Sequence, residues 1–408
     1  MTARERVMAA CNFQKTDRIP IDIGGTQVSG IHVDEYCELL KALGISETPT
    51  VYEQLEMLAR VNDSVRKRLH SDVIPLENPS MSFGLKNSNW KLWKTTKGNV
   101  CYMPGDFNPT QDEEGGWWLY RKDGSPIAHM PKNGLYFDFA DKTTLSSDIS
   151  WMDPKAFRET IAIYNDDELR MLEKKAKELY ETTEYAVVAE FAQCKYGSMT
   201  RTFAGLSPTD WLCMLITEPE YIESILDVAM EQALLNAELF LQAVGSNVDI
   251  FTISAIDFGS QRMEVFNPEI WKNIYMPRYR KVNDFIHDNA PGKKTFIHTC
   301  GCVRHMLPHI IEAGFDILNP VQLTAENMDA QELVDEFGGK IVFWGGGIDT
   351  QTVLPFGTPE EVAAQVKERL EIFSQKGGYI FNPVHCIQYG VPIDNLLAAA
   401  DIAYNFKL

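Results

Sequence analysis

The sequence predicts an α/β protein: a (βα)8 TIM barrel with an N-terminal helical extension and a β-rich insertion after the second strand. Three observations predict it. Eight short apolar runs recur along the chain, amphipathic stretches with helix-start signals separate most of them, and the long gap after the second run is rich in tryptophan and turn residues. Strands alternating with helices build a parallel sheet, and eight such units favour a closed barrel over an open doubly wound sheet. The open-sheet alternative lacks its phosphate-binding fingerprint. Gly345-Gly346-Gly347 follows a strand, but with the wrong spacing and no helix start immediately behind it.

Behind the N-terminal extension come the first two strands, RIPIDIGG (18–25) and SDVIPLE (71–77). The remaining six are EYAVVAEF (184–191), VDIFTIS (248–254), KTFIHT (294–299), FDILNP (315–320), KIVFWGG (340–346) and GYIFNP (378–383). Each of these six is short and apolar on both alternations, as a strand covered on both faces must be. Thr358-Pro359-Glu360-Glu361 combines an N-cap, a proline in the first turn and a capping-box acid, ahead of a helical stripe of Val362, Val366, Leu370 and Phe373. Ser207-Pro208 and Asn267-Pro268 open two further helices in the same way. In the long gap, NWKLWKTTKGNVCYMP, GGWWLYRKDGSPIAHMP and NGLYFDF read as hairpins, because short alternating segments are broken by Lys-Gly and Asp-Gly. Residues 80–145 therefore form an inserted β-rich lid or subdomain, and 153–182 a helix opened by Asp153-Pro154. An insertion after a barrel strand lies at the active-site face, as a structural flap or as a pocket wall. The chain as a whole, 1–408, reads as one elaborated barrel, since this fold runs to about 250 residues and grows past about 400 by insertion.

Composition narrows the function. With 45% hydrophobic and 23% charged residues, the chain has the balance of a globular protein. A net charge of -19 argues against a nucleic-acid partner, which demands clustered Lys and Arg. No apolar run reaches the roughly 18 residues of a membrane span. The opening segment lacks the apolar core of a secretion signal, which points to a cytoplasmic location and reduced thiols for the eight cysteines. A homodimer is left open.

FIHTCGC (296–302) ends the fifth strand. His298 and Cys300, two apart on an extended backbone, point to the same side and can reach one ion. Imidazole and thiolate together suit zinc. Cys386, in FNPVHCIQYG, lies just beyond the eighth strand, so all three stand at carboxyl ends of strands, where catalytic groups gather in a barrel. Three protein ligands with one position open is the usual catalytic arrangement, whereas three buried inert side chains is the structural alternative. Cys302 shares the strand parity but sits where the chain turns into a helix. His385 competes with Cys302 as a further ligand, or is instead a catalytic or substrate-facing group beside the ligand set.

The chain resembles the uroporphyrinogen decarboxylase superfamily over most of its length apart from the Trp-rich insertion. IFNPVHCIQYGVP resembles the family's segment after the last strand, GGGID (345–349) its turn after the seventh, and SAIDFGSQ followed by NPEIW the fourth-strand signature of methyltransferase-like branches. The decarboxylases have glycine where this chain has Cys386 and lack the His-x-Cys pair. They also carry an arginine-rich motif after the first strand, where IDIGGTQVSGIHVDEY has no arginine. A substrate with many carboxylates needs those cations. The pattern resembles the zinc-dependent, corrinoid-linked methyltransferases instead. That resemblance implies bound zinc, a corrinoid (cobalamin) carried by a partner protein, and a small-molecule methyl donor or acceptor. Relatives can add a carboxylate ligand from the sixth strand. Here that strand ends Asn319-Pro320-Val321-Gln322, with Glu326 further on, so the fourth position falls to water, substrate or a residue from elsewhere.

Two chemistries fit such a site. Zinc can present a thiolate to methylated cobalt, as in a methylcobalamin:thiol methyltransferase, or act as a Lewis acid on a methyl donor whose methyl is attacked by reduced cobalt. Trp90, Trp93, Trp117, Trp118 and Tyr120 offer an aromatic wall for a methoxylated arene, or equally the insertion's own core. Trp117, Trp118, Gln261 and Asn319 are therefore the candidate substrate contacts. Glu190 and Asp257 join His385 as candidate catalytic groups. Asp22, Gln193 and Asp349 stand at other strand ends. The rival readings are a uroporphyrinogen decarboxylase-like decarboxylase and a non-catalytic zinc- or corrinoid-binding protein.

Overall fold

The computed structural model describes residues 1–80, 82–140, 151–189, 194–198 and 202–408. Seven of the expected strands form one parallel sheet in chain order: Val73–Leu76, Ala186–Ala189, Ile250–Ala255, Lys294–His298, Ile317–Asn319, Val342–Trp344 and Tyr379–Ile380. The eighth member, expected as a strand over 18–25, is reduced to a bridge at Ile21. Pro20 has no N–H to offer a ladder, and the Ile21 N–H goes to the Asp72 carboxylate at 2.9 Å. The bridge still joins both edges of the sheet. Asp22 N–H donates to Phe381 O (2.8 Å), Phe381 N–H to Pro20 O (2.9 Å), and Asp72 N–H to Ile21 O (2.7 Å). The result is the barrel that the apolar runs predict.

Strand periodicity divides the core in two. Val73, Ala186, Val188, Ile250, Phe296, Ile317, Val342, Trp344 and Ile380 pack together as the barrel interior. Their neighbours Val187, Ala189, Phe251, Ile297, Leu318, Phe343 and Tyr379 join the outer core beneath the helices. The helix Ala3–Cys11, started by a Thr2–Glu5 capping box, adds Val7, Ala10 and Cys11 to the interior cluster. It closes the barrel floor. Buried Arg6 anchors it, pairing with Asp17 at 2.6 Å and Asp72 at 2.7 Å, which answers the cost of burying its charge.

The helix signals act where expected. Thr358 caps Pro359–Phe373 with the full capping box, and Val362, Val366, Leu370 and Phe373 are buried. Ser207 caps Pro208–Thr217, and Asn267 caps the turn that leads into Met276–Asn289. The single helix expected over 153–182 is two, Pro154–Thr160 and Asp166–Thr182, because Asn165 starts a fresh capping box with Glu168. Among the described residues no helix is long and apolar enough to cross a membrane.

The insertion is built of antiparallel strands. Lys91–Lys94 pairs with Val100–Met103, and Thr110–Gln111, Trp117–Tyr120, Pro126–Met130 and Asp138–Phe139 form a second sheet. A further small sheet was not expected: Ile31–His32, Val51–Glu53 and Leu58–Ala59. It is tied to the end of the barrel by His32 N–H to Ile387 O (2.9 Å) and Ile387 N–H to Gly30 O (2.8 Å).

Candidate metal centre

The fifth expected strand, Lys294–His298, delivers His298 to the rim, and Cys300 follows on the loop. Cys300 Sγ lies 3.5 Å from His298 Nε2, as strand parity predicts. The loop is held by backbone packing. Gly301 has φ +88°, and a Cβ there would lie 2.4 Å from the carbonyl carbon of Gly259, so only glycine lets the two loops touch. The contact sets Asp257 beside Cys300, whose N–H donates to Asp257 Oδ1 at 2.8 Å. The same oxygen lies 3.9 Å from His298 Nε2. One donor atom from each of Asp257, His298 and Cys300 falls within 4.8 Å of the others.

A second group adjoins the first. Cys386 Sγ lies 3.1 Å from Glu56 Oε2 and 3.1 Å from the Gln27 carbonyl, and with His385 these two make another cluster within 4.8 Å. The rings of His298 and His385 meet with centroids 6.4 Å apart, which brings the two groups to one stretch of rim. The expected ligands therefore occupy two adjoining groups rather than one. Glu56 comes from the turn between Val51–Glu53 and Leu58–Ala59. That turn is built by the buried Glu53 carboxylate, which accepts the N–H groups of Leu55 (3.0 Å) and Glu56 (2.7 Å). Burial, with Glu56 nearby, pushes Glu53 up to about 7.

Burial dominates the electrostatics. It holds the His298 imidazole below its usual pKa, and so neutral and ready to act as a ligand, although Asp257 and Asn319 oppose it. It pushes the Cys300 thiol up, helped by Asp257, and the Cys386 thiol up, helped by Glu56. Ligands of this kind give up protons when a metal arrives. The donor set fits zinc: two thiols, two imidazoles and two carboxylates at one barrel rim.

Most other candidates fall elsewhere, Asn319 excepted. Cys302 is fully buried outside both groups. Gln261 and Glu326 are exposed on paired loops, joined by Glu326 N–H to Gln261 O at 2.9 Å. Asp349 ties down its own turn through the Gln351 N–H (2.7 Å). Asn319 is fully buried, with its Oδ1 2.6 Å from His298 Nδ1. Trp117 packs edge-on against Trp93, and Trp118 stacks on His129 and donates to Asp112 at 2.9 Å, so both have partners inside the insertion. Glu190 and Gln193 lie outside the described residues.

The insertion does reach the site, through residues not singled out in the sequence. Phe137 N–H donates to Leu55 O at 3.1 Å, Leu135 O meets His32 Nε2 at 3.0 Å, and the half-exposed Tyr136 ring stands edge-on to His32. Leu135–Phe137 thus rest on the turn that carries Glu56. The segment NGLYFDF read only as part of a hairpin, and nothing local marked its landing place.

The uroporphyrinogen decarboxylase (URO-D) family profile matches residues 197–406. The chain is 25% identical over 197 residues to the methylcobamide:CoM methyltransferase MtbA of Methanosarcina acetivorans, covering 48% of this chain and 53% of that protein. It is 24% identical over 173 residues to the uroporphyrinogen decarboxylase of Synechocystis sp., covering 41% and 46%. The chain spans about half the length of these curated relatives. Among solved structures, a methyltransferase from Methanosarcina mazei aligns over 100% of this chain and 99% of its own, with a TM-score of 0.59 and 16% identity, a likeness of fold.

Proposed function

The chain belongs to the uroporphyrinogen decarboxylase family, and from that premise we propose that it is a zinc-dependent methyltransferase that moves a methyl group between a small molecule and the cobalt of a corrinoid protein. One observation carries the reading: the two thiols of Cys300 and Cys386, the His298 imidazole and the Glu56 carboxylate gather at the carboxyl ends of barrel strands. Donors of that softness suit zinc better than magnesium or calcium. The M. acetivorans relative, a methyltransferase by its name, supports the same direction.

His298, Cys300 and Cys386 would hold the ion, with Glu56 as the carboxylate next to the last of them. Bound zinc supplies Lewis acidity, which lowers the pKa of a thiol or polarises the heteroatom that leaves a methyl group. Glu56 accepts the Cys386 thiol hydrogen at 3.1 Å and is the nearest base for its release. Asp257, fixed by the Cys300 N–H, orients the loop. The insertion, through Leu135–Phe137, braces the turn that carries Glu56.

A thiol acceptor is the second reading of the substrate. It is supported by the coenzyme M named for the M. acetivorans relative, and by the commitment of Trp117 and Trp118 to contacts within the insertion rather than to an arene pocket. Decarboxylation of a polycarboxylate is disfavoured by the lack of arginine between Ile21 and Tyr36.

Metal analysis of wild type and Cys386→Ala tests the ligand set. Wild type should carry stoichiometric zinc and the variant much less; equal zinc removes Cys386 from the site. Turnover tests the activity, with cob(I)alamin and methoxyarenes in one arm and methylcobalamin and thiols in the other. No transfer to or from cobalt in either arm sinks the enzyme reading.

A further inference from the structure

A line of buried polar groups runs from the floor side of the rim to His298. Asn319 Oδ1 lies 2.6 Å from His298 Nδ1, while Asn319 Nδ2 donates to the Trp344 carbonyl at 2.7 Å and faces Asn382 Oδ1 at 3.5 Å. Asn382 Nδ2 donates to the Asp22 carbonyl (3.1 Å) and to Asp22 Oδ2 (3.0 Å). Asp22 closes the line. It is fully buried, and its carboxylate also meets Gly25 N–H, the Thr26 and Ser29 hydroxyls and the Trp344 indole N–H.

Every orientation in this line is decided by a neighbour of fixed polarity. The Asp22 backbone carbonyl, 3.1 Å from the Asn382 amide, can only accept. Asn382 must therefore turn Nδ2 to Asp22 and Oδ1 to Asn319. A backbone carbonyl can only accept, so the Trp344 carbonyl forces Asn319 to turn Nδ2 toward it. Asn319 is left with Oδ1 against His298, and an amide oxygen cannot donate. The hydrogen between them belongs to His298 Nδ1.

We infer that Asn319, backed by Asn382 and Asp22, is a positioning residue that locks His298 as the Nδ1–H tautomer. The Nε2 lone pair is then presented toward Cys300 Sγ, 3.5 Å away. The inference rests on the proposed function only in giving His298 a metal to bind. It reassigns Asn319 from the substrate contact expected of the strand end to the group that orients a ligand, because its amide has no polar atom left for a substrate. Outer hydrogen bonds of this kind fix the ring and raise its basicity toward a metal.

The tautomer can be read in the metal-free protein from the ring-nitrogen shifts of isotope-labelled histidine, with His298 assigned by its loss in His298→Gln. Wild type should show protonated Nδ1 and bare Nε2. A protonated Nε2 in wild type overturns the inference without any variant being needed. Asn319→Leu should mix the tautomers and weaken zinc binding by about 10–100-fold in a chelator competition. Asn319→Asp keeps an acceptor and should retain the wild-type tautomer. If Asn319→Leu folds and leaves both tautomer and affinity unmoved, Asn319 does not position the ring. If wild type shows the Nδ1–H form yet takes up no zinc, the ligand reading fails and the tautomer assignment stands.

Discussion

Replacing Gly301 by alanine should damage the protein more than a left-handed backbone alone explains. Gly301 has φ +88°, and its added Cβ would lie 2.4 Å from the Gly259 carbonyl carbon and 2.6 Å from the Gly259 carbonyl oxygen, both backbone atoms that cannot rotate aside. Gly44, with φ +67° and nothing within 4 Å of where a Cβ would stand, is the control. Both substitutions incur the left-handed penalty of about 1–2 kcal/mol. Both also gain the same small benefit from a stiffer unfolded chain, which cancels in the comparison. Only Gly301→Ala adds overpacking, worth about 1–3 kcal/mol. Urea denaturation followed by tryptophan fluorescence should therefore place Gly301→Ala below Gly44→Ala by about that overpacking amount. Because Cys300 precedes the forced shift, zinc binding should weaken in Gly301→Ala and not in Gly44→Ala. Equal denaturation midpoints would refute the claim that backbone contact between the loops sets the position of Cys300.

Burial pushes the Glu35 carboxyl from its ordinary 4.5 up to about 7, against the opposing Gly390 N–H. The unfolded chain therefore loses this proton first, and stability falls as pH rises from 4.5 to about 7, then levels. Glu35→Gln should flatten that part of a melting-temperature profile; an unchanged slope assigns the fall to other groups. Asn165→Ala removes the acceptor for the Asp167 and Glu168 N–H groups and should cost about 1 kcal/mol, measured by denaturation. Glu56→Gln should lower zinc affinity while leaving the melting temperature of the metal-free protein nearly unchanged; loss of stability with intact affinity would make Glu56 structural.

The barrel was legible because it is written in local chemistry. Seven apolar runs became strands where their continuous apolar character placed them, and Thr358, Ser207 and Asn267 cap helices as their residue types predict. His298 and Cys300 were legible for the same reason, two residues apart on one strand end. Glu56 was not. Its approach to Cys386 joins positions 330 residues apart through a small sheet whose strands are two or three residues long, too short to show a period. The strand around Ile21 was overread, because apolar alternation does not reveal that Pro20 lacks a donor and Asp72 claims the Ile21 N–H. Asn319 was seen as polar at a strand end, but only the fold shows that Trp344 and Asn382 spend its amide.

The plugged floor has a kinetic consequence. With Val7, Ala10 and Cys11 seated among the interior side chains, the barrel is filled along its axis and shut at that end, so the rim that carries His298, Cys300 and Cys386 is the face left to a ligand. Any macromolecule that settles over that rim covers whatever is already bound there. Under the proposed reading the traffic is then sequential: the small molecule enters first, the carrier protein docks second, and nothing leaves until the carrier departs. Saturating carrier would then slow the reaction by barring the entrance, and raising the small-molecule concentration would relieve that inhibition.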